Sequence, residues 1–325
     1  MAKISINLVT WNGENYVEEC LRSVMNQSFK DFSVVVIDNG STDNTVEVIR
    51  EKYPHLKIVE HKNNQGFAKA HNQAVHWTNS QYVLMLNQDV ALHEDFLKET
   101  VRFLDNNSNV GAVSGRIYKM KEGEKTNYID SLGLRIYKNF KVLDLGSGEV
   151  GLEREKQNKE VFGVSGAAPV FRRKALEEVV YQKEYFDESF FSYKEDVDLS
   201  FRLRLAGWES WCVVGAVAHH VRSVSGSGEK DGNKKIFKNR RSKSRFANYY
   251  SYRNHLYFLK KCLPKMTFAV FFYEFSKFLY LLLFEVRTLK AWKDFMANKK
   301  ELKAKRRVIL KNRKIETSEL NKWLK

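Results

Sequence analysis

The sequence predicts an α/β protein built on a mixed, mostly parallel sheet flanked by helices. Over the first ninety residues, apolar runs of strand length alternate with segments of helical period. Each strand is followed by polar, acidic or aromatic residues, where a parallel sheet gathers its ligand-binding loops. A chain of 325 residues with 43% hydrophobic residues and only three prolines has room for one large core and an appendage, without long disorder.

Ile4–Thr10 reads as the first strand, and no export-type apolar stretch follows Met1, so a cytoplasmic location is expected. Asn12 is placed to cap a helix whose Val17, Leu21, Val24 and Met25 recur at helical spacing. The apolar run Phe32–Ile37 is the second strand. It is followed by the turn-rich Asp38-Asn39-Gly40-Ser41-Thr42-Asp43 and a helix through Val46 and Ile49. A third strand lies near Ile58-Val59, a helix covers about Phe67–Trp77, and Tyr82–Leu86 is a buried strand. Residues 105–160 carry no readable motif and are expected to hold sheet extensions and loops. Further on, Glu195-Asp196-Val197-Asp198-Leu199 enters a helix with Val197, Phe201 and Leu205 on its apolar stripe and Gly207 at its end. With those apolar residues facing the core, Asp196 and its acidic neighbours are expected at the helix mouth rather than buried. The organisation is a core domain over 1–225, a basic loop over 226–248 and a helical region over 249–325.

The net charge of +16 is unevenly placed: residues 1–225 hold 28 basic and 31 acidic side chains, residues 226–325 hold 27 and 8. The positive charge therefore belongs to the C-terminal third. No nucleic-acid reading module accompanies it, so nucleic acid is not an expected partner. Asn233–Arg245, with seven Lys/Arg in thirteen positions, reads as a mobile lid or phosphate clamp. Met266–Val286 is almost wholly apolar, and on a helix Thr267, Glu274, Lys277 and Glu285 form one narrow stripe opposite Phe, Leu and Tyr. Charges at mid-span argue against a transmembrane helix and for a helix lying in a membrane surface, with helical packing on the core as the alternative. Cys20, Cys212 and Cys262 lack the spacing of a disulfide framework or zinc site, which fits a reducing compartment.

The strand-end residues suggest chemistry. Trp11 can stack on a nucleobase and Asp38 can accept an imide N–H, against the alternatives of a core aromatic and an Asx turn. Asp89, in Asn87-Gln88-Asp89 after an apolar strand, is an oxygen ligand for a hard divalent cation. His219 or His220 is a candidate second ligand. Glu195, Asp196 and Asp198 are candidate general bases, or simply acids favoured by a helix start. No GxGxxG follows the first strand, which disfavours a dinucleotide-binding oxidoreductase.

Taken together, Leu8-Val9-Thr10-Trp11-Asn12, Ile37–Asp43, Asn64-Gln65-Gly66-Phe67-Ala68 with Asn72, Leu86-Asn87-Gln88-Asp89, Phe186-Asp187-Glu188, and Glu195–Leu199 with Arg202 and Ala206-Gly207-Trp208 form an ordered set. It closely resembles family 2 glycosyltransferases, especially the rhamnosyltransferase-like branch of bacterial surface-polysaccharide synthesis. The resemblance implies a GT-A fold, a nucleoside-diphosphate sugar donor and single-displacement inversion. It implies a donor site of Thr10, Trp11, Asn12, Asp38, Asn64, Gly66, Phe67, Asn72 and Asn87. By the same resemblance Asp89 and His220 would hold Mg²⁺ or Mn²⁺, and Asp196 would be the base. Glu195, Asp187 and Arg202 would be acceptor-side or supporting residues. The family's usual first carboxylate is Asn87 here, a departure that the rhamnosyltransferase-like branch often shows with Pro in the middle position, which is Gln88 in this chain. The basic, apolar tail then suits a lipid-linked glycan acceptor and a peripheral place on the inner face of the plasma membrane. A non-catalytic binding protein of the same fold is the competing reading, and a sugar nucleotidyltransferase ranks below it because the first loop lacks a Gly-rich, basic character. The sequence leaves the oligomeric state, the sugar and the linkage open.

Overall fold

A computed structural model describes residues 1–121, 123–151, 156–221 and 244–325. Its first half alternates β1 (Ile4–Thr10), α1 (Val17–Met25), β2 (Phe32–Asp38), α2 (Thr45–Lys52), β3 (Lys57–Glu60), α3 (Phe67–His76) and β4 (Tyr82–Asn87). These four strands pair in parallel in the order β3-β2-β1-β4. The backbone returns by helices, so both faces of β1 and β4 are covered, and nearly every residue of either strand is buried.

The remaining elements extend and cover this sheet. They are β5 (Val90–Leu92), α4 (Phe96–Asn106), β6 (Val110–Lys121), β7 (Glu124–Ser131), β8 (Leu134–Ile136), β9 (Val142–Asp144), β10 (Lys159–Glu160), β11 (Val170–Arg172), α5 (Arg173–Glu178), α6 (Glu195–Leu205) and β12 (Glu209–His220). Beyond β4 the sheet continues through antiparallel β11, then β6, β12 and β10, with β5 on β12 and β7 on β6. The motif-poor stretch 105–160 thus supplies β6, β7 and β10 of the ten-stranded sheet and a separate two-stranded sheet, β8-β9. The end of α6 is sealed by Gly207 at φ +83°: Gly207 N donates to Arg204 O and Trp208 N to Leu203 O, each at 3.0 Å. This is the paired closure that a left-handed glycine permits.

Two expectations need correction. Asn12 does not cap α1, which starts at Val17 after Tyr16 without a side-chain cap. Asn12 takes φ +48° and spends its Oδ1 on the Thr42 N–H of the neighbouring loop at 2.8 Å. The acidic start of α6 does not lie wholly at an open mouth: Glu195 and Asp198 are buried and Asp196 is half-buried. The C-terminal helices pack against this end of α6 and remove it from water.

Those helices are α7 (Arg245–Cys262), α8 (Phe268–Phe284) and α9 (Lys290–Lys311). The expected basic loop 226–248 lies outside the described residues as far as 243, and its last residues belong to α7 and its cap, Ser244. Phe201, Val197 and Phe162 share one apolar cluster with Tyr257, Phe258, Val270, Leu302 and Ile309. The C-terminal helices therefore share an apolar cluster with α6 of the sheet domain.

Candidate active site

Parallel register brings the carboxyl ends of the strands into line. Thr10 is level with Asp38, Asp38 with Glu60, and Val9 with Asn87. The loops leaving these ends are knitted together. Asp38 is buried, and its carboxylate accepts from Thr10 Oγ1 at 3.0 Å, Ser41 Oγ at 2.5 Å, Ser41 N at 2.9 Å and Gly40 N at 3.2 Å. Three of these four bonds hold the loop after β2 and the fourth ties it to the end of β1. Asn12 N donates to Ser41 Oγ at 2.9 Å. Asn39 Nδ2 donates to Asn64 Oδ1 at 3.0 Å and to Gly66 O at 3.2 Å. Gly66 has φ +86°, and a Cβ there would stand 2.6 Å from the Phe191 ring, so this turn accepts only glycine.

Trp11 is left half exposed at the end of β1 while its backbone is clasped by the middle residue of Asn87-Gln88-Asp89. Gln88 Oε1 accepts from Trp11 N at 2.8 Å, and Gln88 Nε2 donates to Trp11 O at 2.9 Å. Nothing in the sequence marked Gln88, because the clasp joins loops 77 residues apart.

Asp89 meets His220 across the β5–β12 pairing, with Asp89 Oδ1 3.4 Å from His220 Nε2. Asp130, fully buried in β7, holds the other ring nitrogen at 2.8 Å. Burial alone would push this imidazole down, but hydrogen bonds to Asp130 and Asp89 hold it up at about 9. His219 lies on the opposite face of the strand, stacked on Tyr118. An imidazole fixed by a second carboxylate is the arrangement found at metal-ligating histidines. Among the described residues no group of three or more His, Cys, Asp and Glu could hold a metal. The donor set fits a divalent ion that takes two protein ligands, Asp89 and His220, and draws the rest from bound phosphate and water.

Asp196 lies across one backbone segment from this strand end. Its Oδ2 accepts from Gly166 N at 3.1 Å, and the next residue's carbonyl, Ala167 O, accepts from Asn87 N at 3.1 Å. Burial, with the nearby charge of Asp144, raises the Asp196 carboxyl, opposed by N–H groups of Val197 and Gly166. Burial and then the charge of Asp196 raise Glu195 to about 8. Among the described residues Glu195 Oε2 has no hydrogen-bond partner.

The remaining sequence candidates play supporting parts. Asn72 is buried and clasps the Phe186 backbone with both side-chain atoms at 2.8 Å. Phe67 packs edge-on against Phe186. Arg202 binds Asp198 at 2.9 Å and the Val179 carbonyl at 2.7 Å. Asp187 is buried with Lys261 and Lys305 from the C-terminal helices. Asp187 and Arg202 are both buried, Asp187 between two ammonium groups and Arg202 between Asp198 and the Val179 and Tyr185 carbonyls. Loop 190–194 ahead of Asp196 carries positive φ at Phe191, Tyr193 and Lys194. Asn254 Nδ2 holds it through Phe190 O at 2.8 Å and through Ser192 O and Tyr193 O at 2.7 Å.

Residues 5–180, over half of the chain, match the sequence pattern described as Glycosyl transferase family 2. The chain is 25% identical over 210 residues to a poly-beta-1,6-N-acetyl-D-glucosamine synthase of Staphylococcus epidermidis, covering 63% of this chain and 47% of that protein. It is 34% identical over 111 residues to the poly(ribitol-phosphate) beta-N-acetylglucosaminyltransferase TarS of Staphylococcus aureus, covering 32% of this chain and 19% of that one. It thus spans less than half the length of these curated relatives. Among solved structures, GalNAc-T7 with UDP, GalNAc and Mn²⁺ superposes with a TM-score of 0.66 at 13% identity, over 99% of this chain and 57% of that one. S. aureus TarS 1-349 with UDP-GlcNAc superposes with a TM-score of 0.55 at 18% identity, over 95% and 89%. These likenesses carry the fold, which is GT-A. On the match over residues 5–180, the protein belongs to glycosyl transferase family 2.

Proposed function

We propose that the chain is an inverting glycosyltransferase that moves a sugar from a nucleoside-diphosphate sugar to a hydroxyl of a lipid-linked glycan in cell-surface polysaccharide synthesis. One observation carries the reading: the Gly166–Ala167 backbone binds the Asp196 carboxylate on one side and the Asn87-Gln88-Asp89 strand end on the other. A base and a leaving-group site are thereby adjacent. The exposed Trp11 ring offers a stacking face for the nucleobase, and Thr10, Asn12, Asp38, Asn64, Gly66, Phe67, Asn72 and Asn87 would make up the rest of the donor site. Asp89 and His220 would hold Mg²⁺ or Mn²⁺, which when bound supplies a Lewis acid for the departing diphosphate.

Asp196 takes the proton of the acceptor hydroxyl as that oxygen bonds to the anomeric carbon. The bond from this carbon to the diphosphate oxygen breaks on the opposite face, so configuration inverts. The proton ends on Asp196 and the charge on the nucleoside diphosphate. The raised Asp196 carboxyl is better matched to accepting that proton than an ordinary aspartate.

Rhamnose is the favoured sugar, on the strength of Asn87 in place of the first metal-site carboxylate. The N-acetylglucosamine named for the relatives is the competing one. The lipid-linked acceptor puts the enzyme peripherally on the inner face of the plasma membrane, a reading supported by the basic, apolar C-terminal helices. No helix among the described residues is long and apolar enough to cross a membrane. A thermal-shift and hydrolysis screen over dTDP-rhamnose, UDP-sugars and GDP-sugars with Mn²⁺ or Mg²⁺ tests the proposal. Asp196→Asn should bind the selected donor normally and lose about a hundred- to ten-thousand-fold in turnover. Donor binding with no turnover by the wild type would favour a binding protein, and full turnover by the variant would remove Asp196 from its role.

A further inference from the structure

Helix α8 is arranged inside out. Its charged residues turn toward the protein: Glu274 Oε1 pairs with His255 Nε2 of α7 at 2.7 Å, and the Lys277 ammonium lies 4.7 Å from the centre of the Tyr252 ring. Val270 and Leu281 are buried on that same side. The opposite side exposes Phe268, Phe272, Phe275, Leu279, Leu282 and Leu283. Phe268 is 79% and Leu283 72% exposed, values that a helix packed in a core or facing water does not show. Trp292 of α9, whose ring meets Phe278 of α8 edge-on, is exposed beside this surface.

The rim of the surface is cationic. Lys265, Arg287, Lys290 and Lys293 are exposed around it, whereas the two carboxylates between them in sequence, Glu274 and Glu285, are half-buried. Residues 244–325 carry twenty Lys/Arg against six Asp/Glu. An apolar face ringed by cations matches a bilayer with anionic headgroups. A second copy of the chain, meeting this face about a twofold axis, would bring like-charged rims together.

We infer that the outward face of α8 is a membrane-docking surface that inserts at the headgroup boundary of an anionic bilayer. Tyr252 and His255 of α7 seat α8, while Arg253 and Asn254 between them bind the loop ahead of Asp196. One turn of α7 therefore ties the docking face to the base. The inference rests on the lipid-linked acceptor proposed above for its purpose, but its test needs no turnover.

The full chain is floated with vesicles of phosphatidylcholine alone and of equal parts phosphatidylcholine and phosphatidylglycerol. The wild type should float with the anionic vesicles and not the neutral ones, and high salt should weaken the association. The triple variant Phe272→Asn, Leu279→Asn, Leu283→Asn changes only exposed positions and should keep its thermal transition and sugar-nucleotide binding. It should lose at least tenfold in vesicle association. Equal flotation of variant and wild type overturns the inference, as does a wild type that stays with neither vesicle. A wild-type dimer that the triple variant dissolves, without vesicle binding, assigns the face to a second copy and also overturns it. Vesicle binding by a chain that binds no sugar nucleotide leaves the docking surface standing and removes the transferase proposal.

Discussion

Asp130 illustrates what single residues contribute at this site. It lies in a stretch without motifs, yet it fixes the ring of His220 from 2.8 Å and thereby points Nε2 at Asp89. Asp130→Asn should weaken Mn²⁺ affinity by about ten- to a hundred-fold, as loss of a carboxylate behind a ligating histidine does. Metal titration of donor binding reads this without turnover. Glu195 makes a different prediction. Its carboxyl is raised by burial and by Asp196 to about 8, so the neutral form is favoured in the folded state. That contribution to stability is complete below the ordinary glutamate value of 4.5 and is lost as pH rises through about 8. Glu195→Gln should flatten this part of the pH–stability curve in chemical denaturation. Unchanged curvature would assign it to another group. The acidic pair was visible in the sequence, whereas the burial that raises both carboxyls, and the Gly166 N–H that only Asp196 receives, depend on what packs over them.

Among the elements, α7 has the widest influence on the site. Asn254 is fully buried, and its amide serves three carbonyls of a loop that takes positive φ at three non-glycine residues. Asn254→Ala leaves those carbonyls with fewer donors and should cost about 1–3 kcal/mol. Turnover should fall further than donor binding, because the loop leads directly into Asp196 and meets the proposed donor site only where Phe191 packs on the Gly66 turn. Equal losses in both would reduce Asn254 to a general structural role. The helical periods of α1, α3, α6 and α8 were legible, since burial imposes them locally. The direction in which α8 turns its apolar side was not: composition is the same whichever side faces the core, and only the partners of Glu274 and Lys277 show that the charged side does.

At the scale of the molecule, the sheet domain and the C-terminal helices are joined by buried charge as well as by apolar packing. Lys261 lies between Asp187 and Asp198, and Lys305 between Asp187 and Glu184. Burial would raise the Asp187 carboxyl, but the two ammonium groups hold it far below the usual range. A depressed carboxyl adds stability above its unfolded value, and that stability is lost as pH falls toward the folded one. Lys261→Met leaves two buried carboxylates short of a counter-charge and should destabilise the whole chain by about 3–5 kcal/mol. Denaturant unfolding should show this as one cooperative transition at lower denaturant. A separate, unshifted transition for the sheet domain would contradict the shared core. Apolar packing crosses the division expected at 225, because Phe201 and Phe258 lie in one cluster. By itself the sequence determined the alternating strands and helices, the polar strand ends and the order of the glycosyltransferase motifs, all properties of short segments whose periodicity and chemistry are local. The tertiary structure alone decided that Gln88 clasps Trp11, that Asp130 orients His220, that Lys261 neutralises Asp187 and Asp198, and that α8 faces outward. Each of these joins segments distant in the chain, and their energies arise only once folding has removed water from between them.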